Sequence, residues 1–394
     1  MSVDRSLTRR EFARTAAALA AAPLAGRLAV AAAIAEPLEP AAAPRAPIWP
    51  GYARAIVIDA LGSPGPFNVP DMTASPLSDA MVANSAASGI TAINVTLVGS
   101  GSGSLAFENT VASIGYWERE LDAHPDRFLK IRTVGDLRRA KEIGKLGIIY
   151  GFQDGTMLGD DTGRVDLFHR LGVRIIQPTY NLRNLIGDGC LEQANAGMSA
   201  FGRGVVARMN ELGVLLDLSH CGQRTTVDGI TTSTKPVAVT HSGCAALNPV
   251  PRNKPDAIMK QLADRGGVMG IYLMPFLRPS GQPSDDDLLR HIDHAVRVCG
   301  EDHVGIGSDL SITPLDLTPE FRAMHANFVA ARKQAGIAAP GEAADVFNYV
   351  PQLNAPRRLE LIADHLASRG HPSARIEKII GANWLRLFGE VWGK

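Results

Sequence analysis

Two stretches decide the fold: GVLLDLSHCG over residues 213–222 and KPVAVTHSGC over residues 235–244. Each is a short apolar run that ends on a histidine, His220 in the first and His241 in the second. Runs of four to eight residues rich in Val, Ile and Leu, closed by Gly, Pro or polar residues, read as strands buried on both faces. The same pattern recurs along the chain in RAIVIDA from Arg54, ITAINVTLV from Ile90, LGIIYGFQD from Leu146 and GVRIIQPTY from Gly172. GGVMGIYLM from Gly266 and HVGIGSDL from His303 bring the count to eight strands.

Amphipathic stretches lie between the strands, among them LSDAMVANSAASG, VDLFHRLG, SAFGRGVVARMNELG, PDAIMKQLADRG and DDDLLRHIDHAVRVCG. Several end in Leu-Gly or Arg-Gly, where glycine takes the left-handed conformation that stops a helix and turns the chain into the next strand. Eight strand-helix units predict an α/β fold, a (β/α)₈ TIM-type barrel. A doubly wound open sheet is the rival, but no glycine-rich dinucleotide loop follows the first strand. The C-terminal run from Arg358 to Trp392 predicts extra helices packed on the outside.

In such a barrel the C-terminal strand ends share one mouth. Adjacent strands lie roughly 5 Å apart, so His220 and His241 are placed to share one metal ion. Gln153, Tyr180 and Asp309 end the third, fourth and eighth strands at the same level. A functional mouth is weighed against polar groups that merely cap strand ends.

The chain has 394 residues, 45% of them hydrophobic and 20% charged. Its 40 basic and 40 acidic residues balance to a formal charge of zero, which argues against nucleic acid or an anionic membrane as partner. Residues 1–35 carry Arg9, Arg10 and Phe12 ahead of an alanine-rich run, the pattern of a twin-arginine export signal. Pro23, Gly26 and Arg27 interrupt that run, against a stable membrane span. Residues 36–50 read as a Pro/Ala-rich linker and residues 51–394 as one barrel domain, in a protein exported to the periplasm. The four cysteines, Cys190, Cys221, Cys244 and Cys299, match no disulfide framework and read as small apolar fillers, with a disulfide or metal role as the alternative.

The series FGRGVVARMNELGVLLDLSH, KPVAVTHSGCAALNPVPRN, GGVMGIYLM, HVGIGSDL and GANWLRLF resembles the membrane (renal-type) dipeptidases, metal-dependent amidohydrolase barrels that hold two zinc ions and hydrolyse dipeptides. The resemblance implies that His220 and His241 bind the second zinc, that Asp309 moves protons, and that Arg252 grips the substrate carboxylate. It implies substrate contacts for Gln153 and Tyr272 as well. Tyr180 stands where the family has a histidine that helps polarise the scissile carbonyl, and a tyrosine can still donate a hydrogen bond there.

The first metal site departs from the family. In IDALGSPG, Asp59 is kept, but Leu61 and Ser63 occupy the places of its histidine and second aspartate. Gln153 stands where a glutamate bridges the two ions, and an amide is a poor bridge between cations. Asp154 next door points the other way along a strand.

The expectation is therefore an exported hydrolase of a dipeptide or similar small amide, running on one zinc ion, with no nucleic-acid partner. Family members often pair, which implies a homodimer. Two alternatives stand beside it: a lyase or isomerase acting on a small carboxylate with Tyr180 and Asp309 as acid and base, and a non-catalytic binding protein on the same barrel.

Overall fold

The computed structural model describes residues 48–69, 72–97 and 104–393. The expected export signal and most of the linker lie outside the described residues. Residues 47–394 form one compact unit, into which Trp49 is buried, its backbone N–H donating to Asp364 at 2.8 Å.

The barrel strands are β1 (Ile58–Asp59), β3 (Ala92–Thr96), β5 (Leu146–Phe152), β6 (Val173–Ile176), β7 (Leu215–Leu216), β8 (Ala238–Ser242), β9 (Val268–Ile271) and β10 (Val304–Ile306). Short continuations follow the first and last of these, β2 (Gly62–Ser63) and β11 (Leu310–Ser311). Every described residue of β3, β5, β8 and β9 is buried, which explains their unbroken apolar spelling. All pairings are parallel, in the order β1-β3-β5-β6-β7 and β8-β9-β10.

Two joints close the cylinder. Asp217 bridges to Ala238, and Leu218 N–H donates to Ala238 O at 2.8 Å, which links β7 to β8. Ala60 N–H donates to Ile306 O at 3.0 Å, and β11 pairs β2 with Leu310 opposite Gly62. Asp59 locks this second joint. Its carboxylate accepts from Ser308 N at 2.7 Å, Ser308 Oγ at 2.5 Å and Leu61 N at 3.3 Å.

Glycine caps act as the sequence implies. Gly172 and Gly213 end their helices with φ of 107° and 72°, a region that costs other residues strain. Gly270 serves a different need, since a Cβ there would stand 1.9 Å from Thr240 O. Its absence lets β8 and β9 meet closely.

Two features differ from the sequence reading. A further strand, β4 (Phe128–Ile131), pairs with the start of β5 from Leu146 to Ile149, on the edge that β6 takes over from Tyr150 onward. The C-terminal helix Asn383–Trp392 packs under the barrel rather than on its outside. Trp384 Nε1 donates to Ile306 O at 3.1 Å, and Lys235 and Gly213, at the N-terminal ends of their strands, meet Val391. Trp384, Leu387, Phe388 and Val391 join Ile58, Ile149, Ile175, Leu215 and Val268 in one buried cluster. The floor of the barrel is thus a helix face.

Candidate active site

The mouth holds a nearly enclosed cavity lined by Tyr180, His220, Arg252 and Asp309 together with Asn68, Asn181, Phe328, Arg332 and Glu342. Tyr180, His220 and Asp309 were expected from strand-end position, and Arg252 from the family resemblance. Free space inside is about 30 Å³, room for one or two water molecules.

His220 and His241 stand side by side, with ring centroids 5.0 Å apart. Both are buried, and burial, reinforced by the nearby Arg252 charge, holds both imidazoles well below their ordinary pKa. They are neutral at pH 7, the form that binds metal. Their surroundings also fix the tautomers. His220 Nδ1 lies 2.6 Å from Asn181 Oδ1, and Asn181 Nδ2 donates to Ile337 O at 2.8 Å, so the amide oxygen faces the ring. An amide oxygen accepts, so the proton sits on His220 Nδ1.

For His241 the orienting chain is longer. Asp217 accepts from Thr240 Oγ1 at 2.6 Å, and Thr240 Oγ1 lies 2.8 Å from His241 Nδ1. With its own proton given to Asp217, Thr240 accepts from His241. Asp217 is fully buried and also takes Ser219 Oγ at 2.5 Å and Thr240 N at 2.9 Å. It holds Thr240 in the orientation that receives the His241 proton.

Each ring is left with an Nε2 lone pair. His220 Nε2 is buried and has no hydrogen-bond partner, while His241 Nε2 faces Gln153 Nε2 at 3.3 Å. An orphaned buried nitrogen costs about 1–3 kcal/mol, and its retention beside a second imidazole suits an incoming Lewis acid.

The donor set therefore offers two imidazoles and lacks the carboxylates that would hold a second ion beside them. Leu61 and Ser63 are spent on closing the barrel: Leu61 O accepts from Asp309 N at 2.8 Å, and Ser63 O from Ile312 N at 2.7 Å. Asp154 turns away into a loop, accepting from Gly155 N, Thr156 Oγ1 and Asn184 Nδ2 at 2.7–2.9 Å. Among the described residues no three His, Cys, Asp or Glu side chains gather as a metal-holding group. All four cysteines are free thiols.

The remaining groups have distinct settings. Tyr180 stacks on His220 at 4.1 Å and 23°. Burial raises its hydroxyl pKa, opposed by Arg332, whose guanidinium lies 5.9 Å from the ring centroid. Asp309 has φ of 62°, a strained conformation for an aspartate, held by Asn68 Nδ2 donating to its carbonyl at 2.7 Å. Burial pushes its carboxyl pKa up to about 7, against the pull of Arg252. Arg252 is 1% exposed and donates Nη1 to Ser219 O at 2.7 Å and Nη2 to His241 O at 3.5 Å. It is thereby tied to the backbone of Ser219, next to His220, and of His241 on β8. Tyr272 is buried beneath it, with the guanidinium 5.7 Å from its ring centroid and its hydroxyl donating to Asn253.

Sequence reasoning missed the roof. Phe328 and Arg332 come from the helix Pro319–Gln334 and Glu342 from the loop after it. Glu342 receives Arg332 through Nε at 2.7 Å and Nη2 at 2.9 Å, a two-pronged pair. Asn181 was also missed, although its place beside Tyr180 at a strand end was a usable signal.

A family model described as membrane dipeptidase (Peptidase family M19) matches residues 80–318. The chain is similar to the dipeptidase tcpJ of Claviceps purpurea (strain 20.1), 30% identical over 237 residues, 59% of this chain and 56% of that one. It is similar to the dipeptidase verJ of Clonostachys rogersoniana, 30% identical over 191 residues, 48% of this chain and 49% of that one. It thus spans about half the length of these two fungal relatives. Among solved structures, an amidohydrolase from Pseudomonas aeruginosa superposes with a TM-score of 0.74 at 32% identity, over 87% of this chain and 98% of that one. A metallopeptidase from Rhodobacter sphaeroides, liganded with a phosphinate mimic of the dipeptide L-Ala-D-Ala, shares the fold with a TM-score of 0.68 at 21% identity, over 86% and 100%. The closed barrel, the paired histidines, His220 after β7 and His241 on β8, and the span of the family match lead to one conclusion: the chain belongs to the membrane dipeptidase family, Peptidase family M19.

Proposed function

We propose that this protein hydrolyses a dipeptide or similar small amide, with one zinc ion held by His220 and His241. The observation that carries the reading is the pair of neutral imidazoles whose Nδ1 protons are committed to Asn181 and Thr240, with ring centroids 5.0 Å apart and both Nε2 atoms left unprotonated. Zinc in such a place supplies Lewis acidity toward a carbonyl and lowers the pKa of a water.

The protein's own groups do the rest. Arg252, buried and positively charged, attracts the substrate carboxylate to a place beside the histidines. Asp309, with its carboxyl pKa near 7, takes the proton of the attacking water and returns it to the leaving amine. Tyr180 keeps its proton and donates to the carbonyl oxygen as charge builds there. Gln153 orients its amide against His241, and Tyr272 holds Arg252 from below. The roof excludes bulk water and strengthens each of these interactions.

Export to the periplasm belongs to the same reading and rests on Arg9, Arg10 and Phe12. No helix among the described residues is long and apolar enough to cross a membrane. Metal content by mass spectrometry, paired with hydrolysis of a dipeptide panel, tests the proposal. About one zinc per chain is expected, with both the ion and the activity lost in His220→Ala of unchanged circular dichroism. Failure to retain any divalent ion after dialysis against zinc, or full activity in that variant, overturns it.

A further inference from the structure

The cavity's free space of about 30 Å³ accepts a water or two and is too small for a dipeptide. Directly beyond it lies an open groove of about 700 Å³ along the helix Pro319–Gln334. Phe328 and Arg332 line both spaces, so the groove and the cavity share a wall. The rest of the groove is formed chiefly by Met324, Ala331, Ala335 and Ile337. Met324, Phe328, Ala331 and Ala335 recur every three or four residues, which sets them on one face of the helix and its end. The charge of Arg332 is matched by Glu342, so what the groove offers a ligand is carbon.

We propose that this groove is a substrate subsite for an apolar side chain or acyl group, with Phe328 as the swinging partition between it and the cavity. The occupant follows from the wall that the two spaces share. A substrate whose amide reaches His220 past Phe328 must leave its remainder in the space on the other side of that ring. Burying a leucine-sized group there favours apolar substrates over small ones by about tenfold or more. The inference deepens the hydrolase reading and rests on it for the reaction, while its binding half stands apart.

The test compares the wild type with Ala331→Glu and Met324→Glu, both at open or half-open helix positions. The readouts are kcat/KM for Ala-Ala and Leu-Leu, calorimetric binding of phosphinate mimics of each, and sedimentation. The expected result is at least a tenfold loss for Leu-Leu and its mimic, with the Ala-Ala values within twofold of wild type. Equal loss for both substrates, loss for neither, or a change of oligomeric state without a change of selectivity overturns the subsite. The last outcome would assign the groove to a second copy of the chain. If the wild type cleaves neither dipeptide but the variants lose the Leu-Leu mimic, the subsite stands and the hydrolase reading falls. A wild type that neither cleaves nor binds either compound overturns both.

Discussion

Replacing Asp59 by asparagine isolates the joint that closes the barrel. Asp59 is 1% exposed, and burial raises its carboxyl pKa to about 6 despite the bonds from Ser308 and Leu61. A folded pKa above the unfolded value of 3.8 means that the folded chain holds the proton more tightly. Ionising Asp59 therefore costs stability, and the cost grows as pH rises from below 4 to above 6. Linkage between 3.8 and 6 gives a cost of about 1 kcal/mol at pH 4.5 and about 3 kcal/mol at pH 7.5. Asparagine does not ionise, still accepts from Ser308 N, and presents an amide that can donate to Ser308 Oγ. Urea unfolding of both proteins at the two pH values is the assay. The wild type should lose about 2 kcal/mol relative to Asp59→Asn between pH 4.5 and pH 7.5. The charge of Asp59 also helps to raise the Asp309 pKa, so its removal eases Asp309 ionisation in the variant and widens the gap in the same sense, while raised carboxylates without that coupling cancel. A gap that stays constant with pH, or that widens in the opposite sense, would refute the argument that this carboxylate is closed into the barrel at a desolvation cost.

Three further outcomes are expected. Asn181→Leu removes the acceptor that holds His220 Nδ1–H and should weaken zinc binding about 10–100-fold by calorimetry, with the melting temperature little changed. Asp309→Asn should lower kcat about 10²-fold or more while leaving zinc stoichiometry intact, and in the wild type kcat/KM should rise with pH through about 7 as Asp309 ionises; a flat profile would remove Asp309 from the base role. Trp384→Ala empties the barrel floor and forfeits the bond to Ile306 O, at a cost of about 3–5 kcal/mol in chemical denaturation.

The fold was legible because parallel strands buried on both faces spell themselves as apolar runs, and all eight barrel strands did so. Strand β4 escaped because its middle residues, Leu129 and Lys130, are half-buried and its five-letter neighbourhood RFLKI resembles the end of a helix. The position of the last helix escaped for another reason. An amphipathic pattern says that one face is covered but not what covers it, and here the cover is the bottom of the barrel. The histidines, Tyr180, Gln153 and Asp309 were legible because a barrel assigns meaning to strand ends. The roof carries no such rule. Phe328, Arg332 and Glu342 sit on a helix and loop inserted after the final strand, and their meeting over the cavity is set by tertiary packing alone.

The floor helix also has a bearing on assembly. The first strand finds its second neighbour only when residues 304–311 are present, and the underside of the barrel stays open until residues 383–392 fold beneath it. Contacts this distant along the chain are slow to form. During synthesis, then, no early portion of the polypeptide can bury its own interior. The cylinder must be completed after nearly the whole sequence has left the ribosome, and until then its Val- and Ile-rich strands need shelter from one another.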